Sequence, residues 1–286
     1  MADSVNISQV YKASLTDEDF RKLSRFITEQ TGIKMPDVKK VMLQSRLQKR
    51  LRHLNMTSFK EYVEYVFSEE GLQNELIHML DVVSTNKTDF FREPVHFEFM
   101  EKTILPEHIE HYPLNRPVKI WSAGCSSGEE VYTIAMTISE FKKDHPGIDF
   151  SILGTDISTE ILQKAVDAIY KEEKTAMMPM ELKKKYLLRS KDRKKKLVRV
   201  VPELRKKAAF RRLNFMDEHY PVNESFDVIF CRNVLIYFNR EKQEQVIRKL
   251  IERLRMGGYF FIGHSESIMG MDLPLTQIRP TIFKRI

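Results

Sequence analysis

The stretch Trp121-Ser-Ala-Gly-Cys-Ser-Ser-Gly-Glu-Glu130 is the part of this chain richest in chemistry. It follows an apolar run and opens a helical pattern, the setting in which backbone N–H groups and a helix N-terminus hold the polar parts of a ligand. Gly124 and Gly128 are its only glycines, so a dinucleotide fingerprint is incomplete and a pyrophosphate cradle fits poorly. Glu129, at the start of the helix, would repel a pyrophosphate and suits a cationic group. S-adenosylmethionine, with a sulfonium, an ammonium and no phosphate, meets that requirement, and Ala123, Gly124 and Glu129 become its expected contacts. Gly154-Thr-Asp156 ends the next apolar run, where a Rossmann-like unit sets an acid against ribose hydroxyls. Asp156 also reads as a cap for the helix that starts near Ser158, and one loop can serve both roles. Asn214 and Phe215 offer an amide and a ring to the edge and face of an adenine. The run Phe226–Cys231 leads into Arg232, Asn233 and Tyr237, past the carboxyl end of a strand, where open sheets form their crevice. For Tyr237 a second reading stands, an aromatic plug beside Phe238.

The elements that must position these residues fall into two textures. Up to residue 90 the pattern is helical. Thr16 to Asp19 has the form of a capping box ahead of Phe20, Leu23 and Ile27, and Gly32 is a stop. Asp37–Leu54 lines up Leu43, Leu47, Leu51 and Leu54, with Arg46, Lys49, Arg50 and His53 as a basic stripe beside them. Ser58 opens a third helix, and Leu72 to Val83 form a fourth. After Pro94 strands alternate with helices: Val118–Trp121, Phe150–Gly154, Phe226–Cys231, Gly258–Gly263, and a closing strand over Gln277–Arg285. That alternation predicts a doubly wound, mostly parallel sheet. Glu172–Phe210 interrupts it as a small, partly β insertion. The expected domains are therefore 1–90, helical with a linker; 91–286, Rossmann-like α/β; and 172–210, a basic β-subdomain within the second.

At 286 residues and 42% hydrophobic content the chain is long enough for two folded domains. It has no apolar run of membrane-spanning length and no secretory profile over 1–10. Two cysteines, Cys125 and Cys231, exclude a disulfide framework and are read as packing thiols. A cytoplasmic location and a monomer are expected, with no membrane insertion. No metal-ligand spacing stands out, so no metal is expected. The net charge of +7 is uneven: Glu181 to Arg212 holds fifteen Lys/Arg against three acids, and Lys39 to Arg52 holds six against none. Two basic patches on an acidic body point to acidic partners, or to solvated faces.

Thr85-Asn-Lys-Thr-Asp-Phe-Phe-Arg92, Ala123-Gly-Cys-Ser-Ser-Gly-Glu-Glu130, Thr155-Asp-Ile157, Asn214-Phe215 and Cys231-Arg-Asn-Val-Leu-Ile-Tyr237 together resemble the CheR family over the whole chain. These are the chemotaxis receptor glutamate O-methyltransferases, here of enteric-bacterial type. Met256-Gly-Gly-Tyr-Phe resembles the Gly-Gly turn of many methyltransferases. The resemblance implies a class I S-adenosylmethionine-dependent fold with an N-terminal helical domain and a small β-subdomain. It implies glutamates on cytoplasmic chemoreceptor helices as substrates and S-adenosylhomocysteine as product. By the same resemblance Asn86, Thr88 and Arg92 fold over the cofactor, with Arg232 and Asn233 lining the crevice.

A glutamate with a pKa near 4.3 is ionised at neutral pH and needs no base, so positioning and desolvation carry the chemistry. Arg92 and Tyr237 are the expected catalytic residues, orienting the incoming carboxylate by charge and by a hydroxyl hydrogen bond. An acidic receptor helix would lie along Arg46, Lys49, Arg50 and His53. A receptor tail would add as a strand beside Lys196–Val201, at Lys196, Val198 and Val200. A nucleic-acid methyltransferase is the enzyme rival because of the basic segment, but the strand leads into Cys231-Arg-Asn rather than Asn/Asp-Pro-Pro-Tyr. A non-enzymatic module that merely binds the cofactor is the other.

Overall fold

The computed structural model describes residues 13–84, 87–113 and 116–286, which divide into two compact units. One holds the described residues of Met1–Thr85 together with Tyr237–Asn239; the other holds those of Asn86–Ile236 and Arg240–Ile286.

In the first unit five helices follow one another: α1 (Asp17–Thr31), α2 (Lys40–His53), α3 (Phe59–Val66), α4 (Glu69–Asn74) and α5 (Leu76–Val83). Thr16 caps α1 by accepting the Asp19 N–H at 3.1 Å, and Gly32 ends it with φ 72°, a left-handed value that suits glycine. Ser58 and Ser68 cap α3 and α4 in the same way. The single helix expected over Leu72–Val83 is two, broken at Glu75, which is buried. Leu23, Ile27, Leu43, Leu47, Leu51, Tyr62 and Val66 are fully buried and make the core.

The second unit opens with α6 (Val95–Phe99), continued by a π-turn over Met100–Ile104 into α7 (Leu105–His111). Then come β1 (Val118–Ala123), α8 (Glu129–Phe141), β2 (Phe150–Asp156), α9 (Thr159–Asp167), β3 (Ile169–Lys171), α10 (Met180–Tyr186), β4 (Leu187–Arg189), β5 (Leu197–Val200), α11 (Pro202–Arg205), β6 (Ala208–Arg212), β7 (Phe226–Cys231), α12 (Arg240–Glu252), β8 (Leu254–Ile262), β9 (Leu275–Arg279) and β10 (Ile282–Arg285). The main sheet runs β6-β2-β1-β7-β8-β10-β9. Its first five strands are parallel, and β10 is antiparallel to both β8 and β9. Strand β7 is buried at every residue, as a parallel strand covered on both faces must be. The chain steps outward from β1 through β2 to β6, then restarts at β7 on the other side. The reversal between β1 and β7 opens a crevice at their carboxyl ends. This is a Rossmann-like, doubly wound architecture closed by an antiparallel hairpin.

Two details differ from the sequence reading. The closing strand over Gln277–Arg285 is a hairpin, β9 and β10, turned at Thr281 with φ 63°. The insertion forms its own sheet, β3-β5-β4, which begins with Ile169, ahead of residue 172. Strand β6 already belongs to the main sheet, paired with β2 from Ala208. Alternating polarity marks a strand but does not say which sheet receives it.

Candidate active site

At the head of β1 the chain turns sharply. Gly124 takes φ 82° and Gly128 φ 91°, with Ser126 at 50° between them. The N–H groups of Gly124 and Cys125 both donate to the carbonyl of Thr155, at 2.7 and 2.9 Å, which ties this turn to the end of β2. A Cβ on Gly124 would meet Val234 Cγ2 at 2.5 Å, so this position is closed to larger residues. Asp156 is 9% exposed; its Oδ2 accepts the Ser126 N–H at 2.9 Å and its Oδ1 the Ser158 N–H at 3.0 Å. It thus holds the turn and the entry to α9 together.

Glu129, 1% exposed, is the first residue of α8, where the helix dipole favours a negative charge. Its carboxylate accepts the Ser127 hydroxyl at 2.7 Å and forms no ion pair among the described residues. Burial pushes its pKa up, against the Ser127 bond and the more distant Lys174. A buried carboxylate short of a cation is the partner an ammonium needs. Asn214 and Phe215 lie just past β6, at the same end of the sheet. Asn214 Oδ1 accepts the Met216 N–H at 3.0 Å. Phe215 is 9% exposed, with its ring tilted against Tyr220. Asn86 lies outside the described residues. Thr88 gives its carbonyl to Lys174 Nζ at 2.8 Å, and Arg92 donates to the carbonyl of Lys87 at 3.1 Å.

Arg232 departs from its expected role. Its side chain is 2% exposed, paired to Glu93 at 2.9 Å and Glu130 at 3.1 Å, and it also donates to the carbonyl of Arg92. With its guanidinium spent inside the protein, what Arg232 can offer a ligand is main chain. Asn233, at φ 59°, donates from Nδ2 to Glu93 at 3.3 Å. Glu93 holds the network: desolvation works against its charge, but Arg232, the His264 N–H and Asn233 leave its pKa lowered. Glu93, His96 and His264 bring ligand-type atoms within 4.8 Å of one another. Both Glu93 oxygens are already bonded, however, and Arg232 stands beside any cation there, while His96 Nδ1 is buried with no hydrogen-bond partner among the described residues. Glu93, Glu130 and Glu266 were not singled out from the sequence. For Glu266 alone a signal was available, an acid four residues past β8, the neighbour of β7. Cys125 and Cys231 are buried thiols whose pKa burial pushes well up, the state of packing thiols. Tyr237 falls in the helical unit: its carbonyl accepts the Lys34 N–H at 3.0 Å, and Lys39 Nζ is 5.9 Å from its ring centre.

Both expected partner surfaces need correction. In the basic stripe, Arg46 donates to the carbonyls of Val83 and of Ser84, the latter at 2.9 Å, closing the end of α5. Arg50 clasps Glu75 through two bonds of 2.8 and 2.7 Å, and the Tyr62 hydroxyl joins the same carboxylate at 2.9 Å. Lys49 and His53 remain exposed, and the outward face of α2 continues with Val41, Ser45 and Arg52. In the insertion, Val198 and Val200 are 4% and 0% exposed, and β5 is the middle strand, bonded to β3 on one side and β4 on the other. No strand can add beside it. Lys196 is exposed, in a left-handed turn at φ 47°.

Residues 86–283 match the family described as CheR methyltransferase, SAM binding domain, and residues 18–84 match its all-alpha domain. The chain is 38% identical over 276 residues to a chemotaxis protein methyltransferase of Borreliella burgdorferi, covering 95% of each chain. It is 33% identical over 280 residues to that of Escherichia coli, covering 98% of this chain and 95% of the other. To chemotaxis protein methyltransferase 2 of Pseudomonas aeruginosa it is 35% identical over 270 residues, covering 94% and 93%.

Proposed function

The chain belongs to the CheR methyltransferase family, and on that footing we propose that it esterifies glutamate side chains of chemoreceptors for adaptation in chemotaxis. S-adenosylmethionine is the cofactor, and S-adenosylhomocysteine the product. The observation that carries the reading in this chain is the pair of buried carboxylates, Asp156 and Glu129, on either side of the Ala123–Gly128 turn at the β1–β7 reversal. One joins the turn to the end of β2, and the other forms no ion pair among the described residues.

When bound, S-adenosylmethionine supplies a methyl group on a sulfonium, open to in-line displacement by an oxygen. The residues do the rest. Asp156 receives the ribose hydroxyls, and Glu129 receives the ammonium. Asn214 offers its amide to the adenine edge, with Phe215 beside the ring. Ala123, Gly124 and the main chain of Arg232 and Asn233 form the walls, while Thr88 and Arg92 close over them. Arg92 orients a receptor carboxylate that arrives ionised, so no residue needs to remove a proton.

The receptor helix lies along the outward face of α2, at Lys49, Arg52 and His53, with Arg46 and Arg50 shaping that face from within. A receptor tail adds to the insertion at an outer strand. We favour β4, which pairs only with β5 and exposes Leu188 at 51%; main-chain bonds would supply affinity there. Because the target glutamates lie on cytoplasmic helices, the enzyme works in the cytoplasm. Incubation with methyl-labelled S-adenosylmethionine and chemoreceptor-bearing membranes tests the function. Base-labile label on a receptor-sized band is expected; base-stable label, or label on added DNA instead, contradicts it.

A further inference from the structure

Glu266 has a place in this architecture that the reaction outlined above leaves without a role. It follows β8 by four residues, is 9% exposed, and points its carboxylate at backbone rather than at any side-chain cation. Oε2 accepts the N–H groups of Gly263 at 2.6 Å and Asn233 at 2.9 Å; Oε1 accepts that of Leu235 at 2.7 Å. Three donors from two strand ends therefore converge on one buried anion. The turn it gathers, Asn233–Leu235, is where β7 leaves the sheet, and Asn233 sits there in a left-handed conformation. Gly263 packs against Asn233 with no room for a Cβ. On the other side Val234 presses on Gly124, the glycine at the head of the β1 turn.

We infer that Glu266 is a positioning residue for cofactor binding: it sets the height of the Asn233–Leu235 turn against Gly124, and through it the width of the crevice between β1 and β7. It touches no part of the ligand itself. The inference rests on the proposal that the Ala123–Gly128 turn holds S-adenosylmethionine. Glutamine at this position keeps the shape but has one acceptor oxygen, so it cannot serve both the Asn233/Gly263 pair and Leu235; an N–H then faces an NH₂ group. Alanine leaves all three donors unserved.

The experiment is calorimetry of S-adenosylhomocysteine with the full chain, wild type and Glu266→Gln, well below each protein's unfolding midpoint. Circular dichroism confirms that both are folded. A shifted Asn233–Leu235 turn alters the crevice that the ligand must fit, and a rise in Kd of about tenfold is the expected result for Glu266→Gln, with receptor KM unchanged. A merely stabilising Glu266 would lower the unfolding midpoint and leave Kd within twofold, which overturns the inference. Wild-type chain that fails to bind S-adenosylhomocysteine overturns the reading of the crevice, and the inference with it. Should Glu266→Ala not fold, the glutamine variant still decides.

Discussion

Replacing Asp156 separates a ribose-binding carboxylate from one that only organises loops. The carboxylate accepts Ser126 and Ser158 N–H groups at 2.9 and 3.0 Å, and a ribose would bring it two vicinal hydroxyls. A hydrogen bond to a charged acceptor contributes about 1.5–3 kcal/mol. Losing two therefore costs about 3 kcal/mol or more, which is roughly a hundredfold in Kd at the low end. Asp156→Ala is expected to weaken S-adenosylhomocysteine by that factor, measured by calorimetry at 25 °C. Asp156→Asn keeps one acceptor oxygen and should fall between, near tenfold. Both variants should also melt earlier without ligand, because the Ser126 and Ser158 donors lose a partner. The discriminating quantity is Kd in the folded protein. If Asp156→Ala binds within about threefold of wild type while its melting temperature falls, Asp156 serves the loops alone and the cofactor lies elsewhere.

Four further outcomes follow from the same geometry. Arg50→Ala leaves Glu75 buried and unpaired, so urea unfolding should show a loss of about 3 kcal/mol with receptor KM unchanged. Lys49→Glu with Arg52→Glu should do the reverse, raising receptor KM several-fold at low salt and less at high salt. Gly124→Ala places a Cβ against Val234 at φ 82°, so the variant should melt earlier, the left-handed strain alone being about 1–2 kcal/mol, and should bind S-adenosylhomocysteine more weakly as the turn moves off Val234. The last concerns pH. Burial, reinforced by Arg232, depresses the pKa of His96 from 6.5 to about 3. Between those values the unfolded chain binds a proton that the folded chain does not. This contribution to stability is therefore full above pH 6.5 and is lost as pH falls toward 3, at up to about 1.4 kcal/mol per pH unit. Denaturant midpoints measured from pH 7 to 5 should fall in wild type and flatten in His96→Gln.

What the sequence made legible was whatever local pattern controls. The capping threonine at 16, the glycine stop at 32, the strand–turn–helix around Gly124 and the acid at the end of β2 are all set by neighbours a few residues away. What it hid depends on partners distant in the chain. Arg46 and Arg50 precede Leu47 and Leu51, both fully buried, so they sit on the shoulder of the buried stripe. Helical period alone does not say whether such a guanidinium leans outward or over the core. Glu75 and the carbonyls at the end of α5 decide it, 25 and 37 or more residues away. Strand β5 announced itself by alternation, but its central place required β3 and β4 to close on both sides. Arg232 looked like a crevice residue because it follows β7; Glu93 and Glu130, from other parts of the fold, draw its side chain inward. Glu266 gave no periodic signal at all, since its function is to collect backbone N–H groups that only the folded turn brings together.

The central claim is that the crevice between β1 and β7 is a cofactor pocket organised by Asp156 and Glu129. A crystal structure of the chain with S-adenosylhomocysteine tests it most directly. The account predicts the ribose hydroxyls on the Asp156 carboxylate, the amino group at Glu129, and the adenine beside Asn214 and Phe215. Ligand density elsewhere on the sheet, or a ribose turned away from Asp156, would contradict it.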